Sequence, residues 1–470
     1  MIDAVLKHAD DRPALIVPTR DVRITYAELG RRVEEVAEWL RQAVGGRRLV
    51  FLAPGPDAES VLFYLACLRA GVPLCLTEPQ PEPLARLCGI YRPALVLAPD
   101  TLPLPDGWHA RPSALGGYVA AGASEAGEVP LHPDLALLLT TSGSTGSPKL
   151  VRLSAGNLAA NAGAIAEYLG LGPGELAVQS LPMHYSYGLS VLNSHLVSGG
   201  GILLTPHSFM RPEFWRDADR LGATSFAGVP YMYETLHRLR FDPSRHPTVR
   251  TYTQAGGALR RELIAHFHSR ITQAGARLVI MYGQTEATAR ISYVPPERLA
   301  EKIGTIGRAI PGGRLHLEPL PGGDGRAEQL VYEGANVMMG YAESPADLAL
   351  GDVQRGVLRT GDLATVDEDG YYTVVGRLKR FAKLFGRRVS LEDVERELES
   401  AFPVRVIATD AGDRLGLHVA PDGAVRDEAM VAHLAHFLAV PPAAIGIRRV
   451  TELPLTSSGK KDYRAAEAAG

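Results

Sequence analysis

The sequence has little cysteine, little net charge and no long apolar run, and each shortage excludes a class of protein. Three cysteines without a CxxC spacing support neither a disulfide framework nor a zinc site of paired thiolates. The 49 basic and 52 acidic residues leave a net charge of −3, which gives no reason to expect nucleic acid or an anionic membrane as a partner. The first residues carry acids where a signal peptide carries bases, and no segment is long enough to span a bilayer. We therefore expect a cytoplasmic protein.

The 470 residues, 46% of them hydrophobic, indicate two or three globular domains with sizeable cores. Short apolar segments such as 48–53 and 94–98 alternate with amphipathic helical segments such as 59–70, which predicts α/β layers around a largely parallel sheet. The composition changes after Leu378, where a basic cluster precedes an acidic amphipathic helix. We predict a large layered α/β domain over residues 1–378 and a small α+β domain over residues 379–470.

Glycine and hydroxyl residues dominate the segment TTSGSTGSPK, residues 140–149. Apolar segments precede and follow it, so the loop is predicted to link two strands rather than to begin a helix. Glycines let a backbone approach a ligand closely, and consecutive N–H groups form an anion-binding concavity. A flexible Gly/Ser linker is the alternative interpretation. The composition favours a phosphate cradle formed by Thr141, Ser142, Gly143, Ser144, Thr145, Gly146 and Lys149.

Two further segments place a carboxylate in a turn. A predicted strand runs into YGQTE, residues 282–286, and a carboxylate at a strand end beside a phosphate cradle suggests a shared cation. Mg²⁺ is commonly bound in this way, by one or two carboxylates together with substrate phosphates. RTGD, residues 359–362, precedes a predicted hairpin whose second strand ends in Gly376-Arg377. Taken alone, each segment could be an ordinary turn with a solvated charge.

These segments stand in an order that resembles one known family. TSGSTGSPK resembles the phosphate-binding loop of the adenylate-forming superfamily, which contains acyl-CoA synthetases, stand-alone adenylation enzymes and luciferases. YGQTE, RTGD, the pair at 376–377 and PLTSSGKK at 454–461 resemble its other motifs, so the resemblance covers nearly the whole chain. It implies that a carboxylic acid reacts with ATP to give an acyl-adenylate and pyrophosphate, and that a thiol then takes the acyl group.

The resemblance also implies roles for individual residues. Adenine would pack on the Gly256-Gly257 turn, Glu286 would hold Mg²⁺ on ATP, and Asp362 would accept hydrogen bonds from the ribose hydroxyls. Lys460 matches the catalytic lysine of the terminal motif. The predicted catalytic residues are Thr141, Glu286 and Lys460. The predicted nucleotide-binding residues, besides the loop and Lys460, are Gly256, Gly257, Tyr282, Gly283, Thr285, Asp362 and Arg377.

The segment LPMHYSYGL, residues 181–189, matches the part of the family that lines the acyl pocket, although Tyr185 stands where a histidine is common. It contains no aspartate, which disfavours an α-amino acid, because a buried ammonium needs a counter-charge. An aromatic and polar pocket instead favours a small or functionalised acid. The predicted substrate residues are Tyr185, Tyr187, Gly188, Gln254 and Gln284. In the family the small domain is mobile about a hinge, which corresponds here to Lys379.

The thiol acceptor is predicted to be CoA, with the phosphopantetheine arm of a carrier protein as the alternative. The segment 383–386 lacks the insertion found in fatty-acyl-AMP ligases, which favours CoA. A nucleotide-binding regulator without chemistry is disfavoured because Glu286, Asp362 and Lys460 occur together. The motifs do not distinguish a ligase from a light-emitting oxygenase, which has the same fold.

Overall fold

The structure of the chain is a computed structural model. It describes residues 1–123, 129–140, 149–320, 327–378, 380–384, 387–412, 414–421, 423–438, 440–456 and 460–468. In these ranges the α-helices α1 to α12 are, in chain order, Ile2–Leu6, Tyr26–Val44, Ala58–Ala70, Pro81–Tyr91, Ala155–Leu169, Ser186–Val197, Pro212–Leu221, Pro230–Arg238, Arg261–Gln273, Leu391–Ala401, Asp427–Leu438 and Tyr463–Ala468.

Over the same ranges the strands β1 to β26 are Pro13–Val17, Val22–Thr25, Val50–Leu52, Leu74–Leu76, Leu95–Pro99, Trp108–Pro112, Tyr118–Ala123, Leu135–Thr140, Leu150–Ser154, Leu176–Val178, Gly201–Leu203, Ser225–Gly228, Thr251–Gln254, Arg277–Tyr282, Ser292–Tyr293, Arg308–Ala309, Gly313–Glu318, Glu328–Gly334, Gly340–Ala342, Val357–Val366, Tyr372–Arg377, Phe381–Leu384, Arg387–Ser390, Val404–Asp410, Leu415–Pro421 and Ile445–Arg449.

The chain divides into two compact units. Unit 1 contains residues 1–314 and 333–358, and unit 2 contains residues 315–332 and 359–470. This division differs from the predicted domains 1–378 and 379–470, because residues 315–332 and 359–378 group with the C-terminal segment. The predicted boundary at Leu378 separates a large domain from a mobile small domain, and it stays a prediction.

Unit 1 contains a nine-stranded sheet with the strand order β16-β15-β14-β13-β12-β10-β11-β1-β2. Its centre, from β14 to β1, is parallel, and its outer strands are antiparallel. The carboxyl ends of β12, β13 and β14 therefore meet at one edge. This is where functional residues gather in open α/β sheets, and YGQTE begins there with the last residue of β14.

The eight-stranded second sheet of unit 1 has the order β19-β9-β8-β4-β3-β5-β7-β6. Strands β8 and β9 pair in antiparallel fashion, which confirms that the segment after Thr140 links two strands. Residues 103–130, whose proline and glycine content predicts a loop, contain β6 and β7 instead. These strands extend the sheet beyond β5 through antiparallel pairing. The loop prediction was wrong because pairing with an existing edge outweighs weak local propensity.

Leu158, Ala162, Ile165 and Leu169 recur at helical spacing before Gly170, which predicts a helix with one apolar face, and α5 confirms this prediction. Leu158, Ala162, Ile165 and Leu169 are all buried, and the helix ends at Gly170, whose φ of 61° lies in the left-handed region. The α/β fold class is confirmed as well, since the sheets of unit 1 are covered by helices with alternating connections.

Unit 2 contains a four-stranded sheet, β17-β18-β20-β21, and the hairpin β22-β23. The predicted Asp-Gly hairpin turn lies between β20 and β21. Three further strands, β24-β25-β26, form a sheet whose core is shared with α10 and α11. This last part has the predicted α+β character, because strands and helices follow one another around one small core.

Cys67, Cys75 and Cys88 are free and buried in unit 1. Burial raises the pKa of all three thiols, that of Cys88 to about 12. Among the described residues, no helix is long and apolar enough to cross a membrane.

Candidate active site

The YGQTE turn leaves the end of β14 in a tightly folded backbone. A Cβ atom at Gly283 would lie 1.7 Å from the carbonyl oxygen of Ala289, so only glycine fits here. The side chain of Gln284 donates a hydrogen bond to the Tyr282 hydroxyl at 3.1 Å. The short helical turn Thr285–Ala287 then presents Glu286. The glycine of the motif is therefore required by packing within the turn.

Glu286 is oriented by a tyrosine that sequence reasoning missed. The hydroxyl of Tyr341, in β19, donates to Oε1 of Glu286 at 2.8 Å, and the Met338 N–H donates to its backbone carbonyl at 2.9 Å. Burial and the neighbouring Glu286 carboxylate raise the pKa of Tyr341, so the phenol remains a donor. A single oriented carboxylate of this kind fits Mg²⁺ that is shared with substrate phosphates.

Lys149, at the end of the predicted phosphate loop, lies at the same place. Its Nζ is 5.3 Å from the centre of the Tyr341 ring and 2.6 Å from Oε1 of Glu343. The antiparallel pairing of β9 with β19 brings about this arrangement. Lys149, Tyr341 and Glu286 thus form one group, which we call the 149–341–286 cluster.

Thr285 links this turn to helix α6. Its Oγ1 lies 3.1 Å from Oγ of Ser186, the first residue of the helix. Nothing in the sequence near Ser186 indicated this contact, because the two residues are far apart in the chain. The contact fixes the turn that carries Glu286 against the segment predicted to line the acyl pocket.

The aromatic residues of that segment do lie together. The ring centres of Tyr185 and Tyr187 are 6.2 Å apart, and the buried Tyr187 hydroxyl is 2.9 Å from Oγ1 of Thr253 in β13. The guanidinium of Arg290 lies 3.8 Å from the centre of the Tyr187 ring. A Cβ at Gly188 would be 2.2 Å from the Pro182 carbonyl oxygen, so this glycine also has a packing role.

Gln254 and the predicted adenine-binding glycines form one turn after β13. The buried amide of Gln254 donates to the carbonyl of Gly257 at 3.0 Å and braces the turn. Gly256 has a φ of +85°, a conformation that favours glycine, and a Cβ at Gly257 would lie 3.2 Å from the Pro230 ring. The substrate role of Gln254 stays a prediction beside this bracing role.

In unit 2, the two predicted ribose-binding residues form a cross-strand pair. Asp362 in β20 lies opposite Arg377 in β21, and Nε of Arg377 is 2.6 Å from Oδ1 of Asp362. The Asp362 residue is only 1% exposed, whereas the Arg377 side chain is half-exposed. The Thr360 hydroxyl accepts a hydrogen bond from the Asp362 N–H at 3.1 Å. The carboxylate is therefore held in one orientation.

Lys460 and its neighbour Lys461 have different surroundings. The Lys460 N–H donates to Oγ1 of Thr456 at 3.1 Å, and the Thr456 N–H donates to the Lys460 carbonyl at 2.8 Å. Nζ of Lys461 donates to carboxylates of Glu395 at 2.9 Å and Glu399 at 3.0 Å. Burial alone would lower the pKa of Lys461, but the two carboxylates outweigh it and raise the pKa. Lys461 is therefore an internal anchor.

The remaining predicted site residues lie outside the described residues. They are Thr141, Ser142, Gly143, Ser144, Thr145, Gly146 and Lys379. Their roles stay predictions.

A family model for AMP-binding enzymes matches residues 2–342. The chain belongs to this family. A feruloyl-CoA synthase of Amycolatopsis is 33% identical over 398 residues, which cover 80% of this chain and 78% of the relative. A sulfoacetate–CoA ligase of Cupriavidus necator is 31% identical over 389 residues, covering 80% and 73%. The sequence-based assignment to the adenylate-forming enzymes is confirmed: the chain is an ATP-dependent, adenylate-forming acid–thiol ligase.

A solved AMP-binding enzyme has the same fold. The o-succinylbenzoate-CoA synthetase of Bacillus subtilis, in complex with ATP and magnesium, superposes with a TM-score of 0.77. The alignment covers 99% of both chains at 22% identity. At this identity the similarity concerns the fold, which confirms the prediction of a large and a smaller domain of α/β type.

Proposed function

We propose that this enzyme converts a small, non-amino carboxylic acid into its acyl-CoA thioester through an acyl-adenylate, using ATP with Mg²⁺. The 149–341–286 cluster carries the proposal. In this cluster the Tyr341 ring contacts the ammonium group of Lys149, and the Tyr341 hydroxyl orients the carboxylate of Glu286, at the end of the predicted phosphate loop. This arrangement suits a metal–triphosphate, because the lysine attracts phosphate oxygens and the carboxylate attracts the metal.

Adenylation is limited by charge that accumulates on phosphate oxygens. The acid carboxylate attacks the α-phosphate of ATP and pyrophosphate leaves. Lys149 and Lys460 would supply ammonium groups to these oxygens, and the loop at 141–146 would supply N–H donors. Glu286, kept in place by Tyr341, would hold Mg²⁺, whose charge neutralises the phosphates when it is bound.

The Asp362–Arg377 pair supports a ribose site in unit 2. A buried carboxylate with one oxygen on an arginine can still accept hydrogen bonds from two vicinal hydroxyls. Nε of Arg377 lies 2.6 Å from one Asp362 oxygen, which orients the carboxylate before the nucleoside binds. Asp362→Asn is expected to weaken ATP binding, since an amide accepts fewer hydrogen bonds than a carboxylate.

CoA is the acceptor that the named relatives support. Both are named for CoA thioesters, one of ferulate and the other of sulfoacetate. A carrier protein remains the alternative acceptor, because its phosphopantetheine arm ends in the same thiol as CoA. The two named acids differ in charge, since sulfoacetate carries a sulfonate besides its carboxylate. The relatives therefore leave the class of acid open.

Pyrophosphate release with ATP, Mg²⁺ and a panel of acids, with and without CoA, tests the proposal. We expect one group of acids to stimulate release and to yield the acyl-CoA. Glu286→Gln and Lys460→Ala should lower the rate at least about 100-fold, the size of effect that a lost electrostatic contact to the transition state has. Glu297→Gln, at an exposed glutamate of unit 1, is the matched control and should leave the rate unchanged.

The outcomes separate the hypotheses. Release without a thioester, followed by acylation of a phosphopantetheinylated carrier protein, would identify the alternative acceptor. Removal of Mg²⁺ by EDTA should stop release, and excess Mg²⁺ should restore it. If no acid stimulates release from the wild-type enzyme, or if Glu286→Gln is as active as Glu297→Gln, the proposed function is wrong.

A further inference from the structure

Arg290 lies in unit 1 and is buried, with only 3% of its surface exposed. It follows the YGQTE turn and precedes β15. Its backbone carbonyl accepts hydrogen bonds from the side-chain amides of Asn161 at 3.1 Å and Asn336 at 2.9 Å, so the backbone is fixed. Arginine is almost never buried to this degree unless its charge is paired. The groups around the guanidinium therefore decide how its buried charge is compensated.

A second buried arginine shows what a satisfied guanidinium looks like in this protein. Arg152, 0% exposed, donates to the carbonyl oxygen of Tyr341 at 3.1 Å and to those of Met339 and Gly351, both at 3.3 Å. It also donates to the carbonyl of Leu350. Main-chain oxygens thus surround this guanidinium, and its role is structural.

Arg290 has no such shell. Its Nε lies 3.4 Å from Sδ of Met281, a weak acceptor, and its plane lies over the Tyr187 ring. The Tyr168 hydroxyl also interacts with it. Within the described part of the chain, no carboxylate forms an ion pair with Arg290. The predicted phosphate loop cannot supply one either, because residues 141–148 contain no acidic residue.

The guanidinium borders a cavity between helices α5 and α6 and the strands β12 to β14. Ser190 of α6, Thr253 of β13 and Met281 of β14 are among its walls. Of the described residues that line this cavity, Arg290 is the one that carries a charge at neutral pH. His195 is there too, but burial lowers its pKa and keeps it neutral. None of the residues of the 149–341–286 cluster lines this cavity.

A buried cation without a counter-charge is unfavourable, and an anionic ligand removes this cost. The planar guanidinium suits an oxyanion with two or three oxygens, such as a carboxylate or a sulfonate. In the proposed reaction the reacting carboxylate must meet the α-phosphate of ATP, and no residue of the 149–341–286 cluster lines the cavity of Arg290, so a different anion would pair with Arg290. We propose that Arg290 binds a second anionic group of the acid, and that the substrate is a carboxylic acid bearing a second carboxylate or a sulfonate.

This inference rests on the proposed function and specifies its substrate class. The test uses pairs of acids that differ in one charge: sulfoacetate and methylsulfonylacetate, succinate and monomethyl succinate, isophthalate and its monomethyl ester. Acid-dependent pyrophosphate release gives kcat/KM for each acid. For at least one pair, we expect the doubly charged acid to be favoured about 10- to 100-fold, the range of a hydrogen bond to a charged group.

Variants of Arg290 connect this preference to the residue. Arg290→Met keeps the apolar contact with Tyr187 and should abolish the preference, mainly through a higher KM for the doubly charged acid. Arg290→Lys keeps the charge without the planar guanidinium and should retain part of the preference for the doubly charged acid. Arg308→Met removes an exposed arginine that also lies over a tyrosine, and it should change nothing. Thermal unfolding with and without ATP checks that each variant folds and binds nucleotide.

The results distinguish this inference from the proposed function. If the wild type uses the singly charged member of every pair at least as well as the doubly charged member, the inference is wrong while the ligase activity stands. The same holds if Arg290→Met keeps the full preference. If no acid of either charge stimulates pyrophosphate release, the proposed function is wrong, and the inference falls with it.

Discussion

Two adjacent lysines show how differently neighbouring residues can act in one short segment. Lys460 and Thr456 exchange two hydrogen bonds through the Lys460 backbone, whereas the Lys461 side chain bonds to two carboxylates. The Lys461 ammonium lies between Glu395 and Glu399 and also donates to the Val406 carbonyl at 2.7 Å. The side chain of Glu395 is only 7% exposed, so its charge depends on this contact and on Arg380.

Lys461→Met should therefore destabilise unit 2. It removes one partner of a largely buried ion pair, and we expect the free energy of unfolding to fall by about 3 kcal/mol. Urea unfolding, followed by far-UV circular dichroism, measures the change. Lys460→Ala is the comparison: it should lower adenylation strongly and stability less. A Lys461→Met variant as stable as the wild type would contradict the role of Lys461 as an anchor.

At the scale of residues, the sequence predicts chemistry better than it predicts contacts. Glu286, Asp362 and Arg377 stand in recognisable motifs, and the last two do lie together. Tyr341 and Arg290 have no local pattern that separates them from core residues. The contact of Tyr341 with Glu286 joins β19 of one sheet to the turn after β14 of the other sheet, and such contacts come from tertiary packing rather than from local propensity.

Helix α5 follows β9, and two polar side chains hold its first turn. Ser154 and Asn157 form a reciprocal capping box, with hydrogen bonds of 2.9 and 3.0 Å between each side chain and the other residue's N–H. The amide of Asn157 also donates to the carbonyls of Ala335 at 2.7 Å and Val337 at 2.8 Å. One side chain thus joins the helix to the segment before β19.

Asn157→Ala should cost more stability than Ser154→Ala, although both remove the capping box. The serine variant should lose about 1 kcal/mol, a usual value for a helix cap. The asparagine variant also leaves two carbonyls without their donor and should lose about 2–3 kcal/mol. Urea unfolding of both variants under the same conditions gives the comparison. Equal losses would show that the two carbonyls find other donors.

The sequence predicts the elements whose apolar residues recur with a clear helical or strand period, and it does not predict the elements that lack such a period. The face of α5 and the strands on both sides of the TTSGSTGSPK segment follow from periodicity and turn residues. Strands β6 and β7 do not, because β6 contains polar residues and Pro112, β7 consists largely of alanine and glycine, and both exist through pairing at the edge of a sheet. Their stability comes from tertiary context, which a single sequence does not reveal.

At the scale of the whole molecule, the chain passes from one compact unit to the other at residues 314/315, 332/333 and 358/359. The fold class and the order of the motifs follow from the sequence, but this repeated passage does not. Sequence composition changes only near Leu378, whereas most residues of β17, β18 and β20 group with unit 2 through their tertiary contacts. The proposed hinge, Lys379, therefore lies inside the part of the chain that belongs to unit 2.

Lys379→Pro tests the proposed hinge. Proline fixes φ near −65° and removes an N–H, so a residue that must change its backbone angles between two steps should be disabled. We expect acyl-adenylate formation to survive and thioester formation to fall roughly 100-fold, as it does when reactants are misplaced by about 1 Å. Single-turnover measurements of the two steps show this difference.

Lys379→Ala is the control, since it removes the side chain and leaves the backbone free. It should change both steps only slightly. Equal losses in both steps for Lys379→Pro would indicate general damage rather than a blocked rotation, and an unaffected thioester step would exclude a hinge at this residue.

The burial of the three cysteines has a practical consequence for an enzyme whose second substrate is a thiol. Thiol reagents attack the thiolate, and none of the three side chains forms one readily near pH 8, because burial raises their pKa values. A colorimetric thiol reagent added to samples withdrawn from a mixture of folded enzyme and CoA should therefore register only the acceptor that has not yet reacted. The colour that each sample lacks, relative to a reaction without the acid, would count the thioester bonds formed by then, without a radioactive or coupled assay.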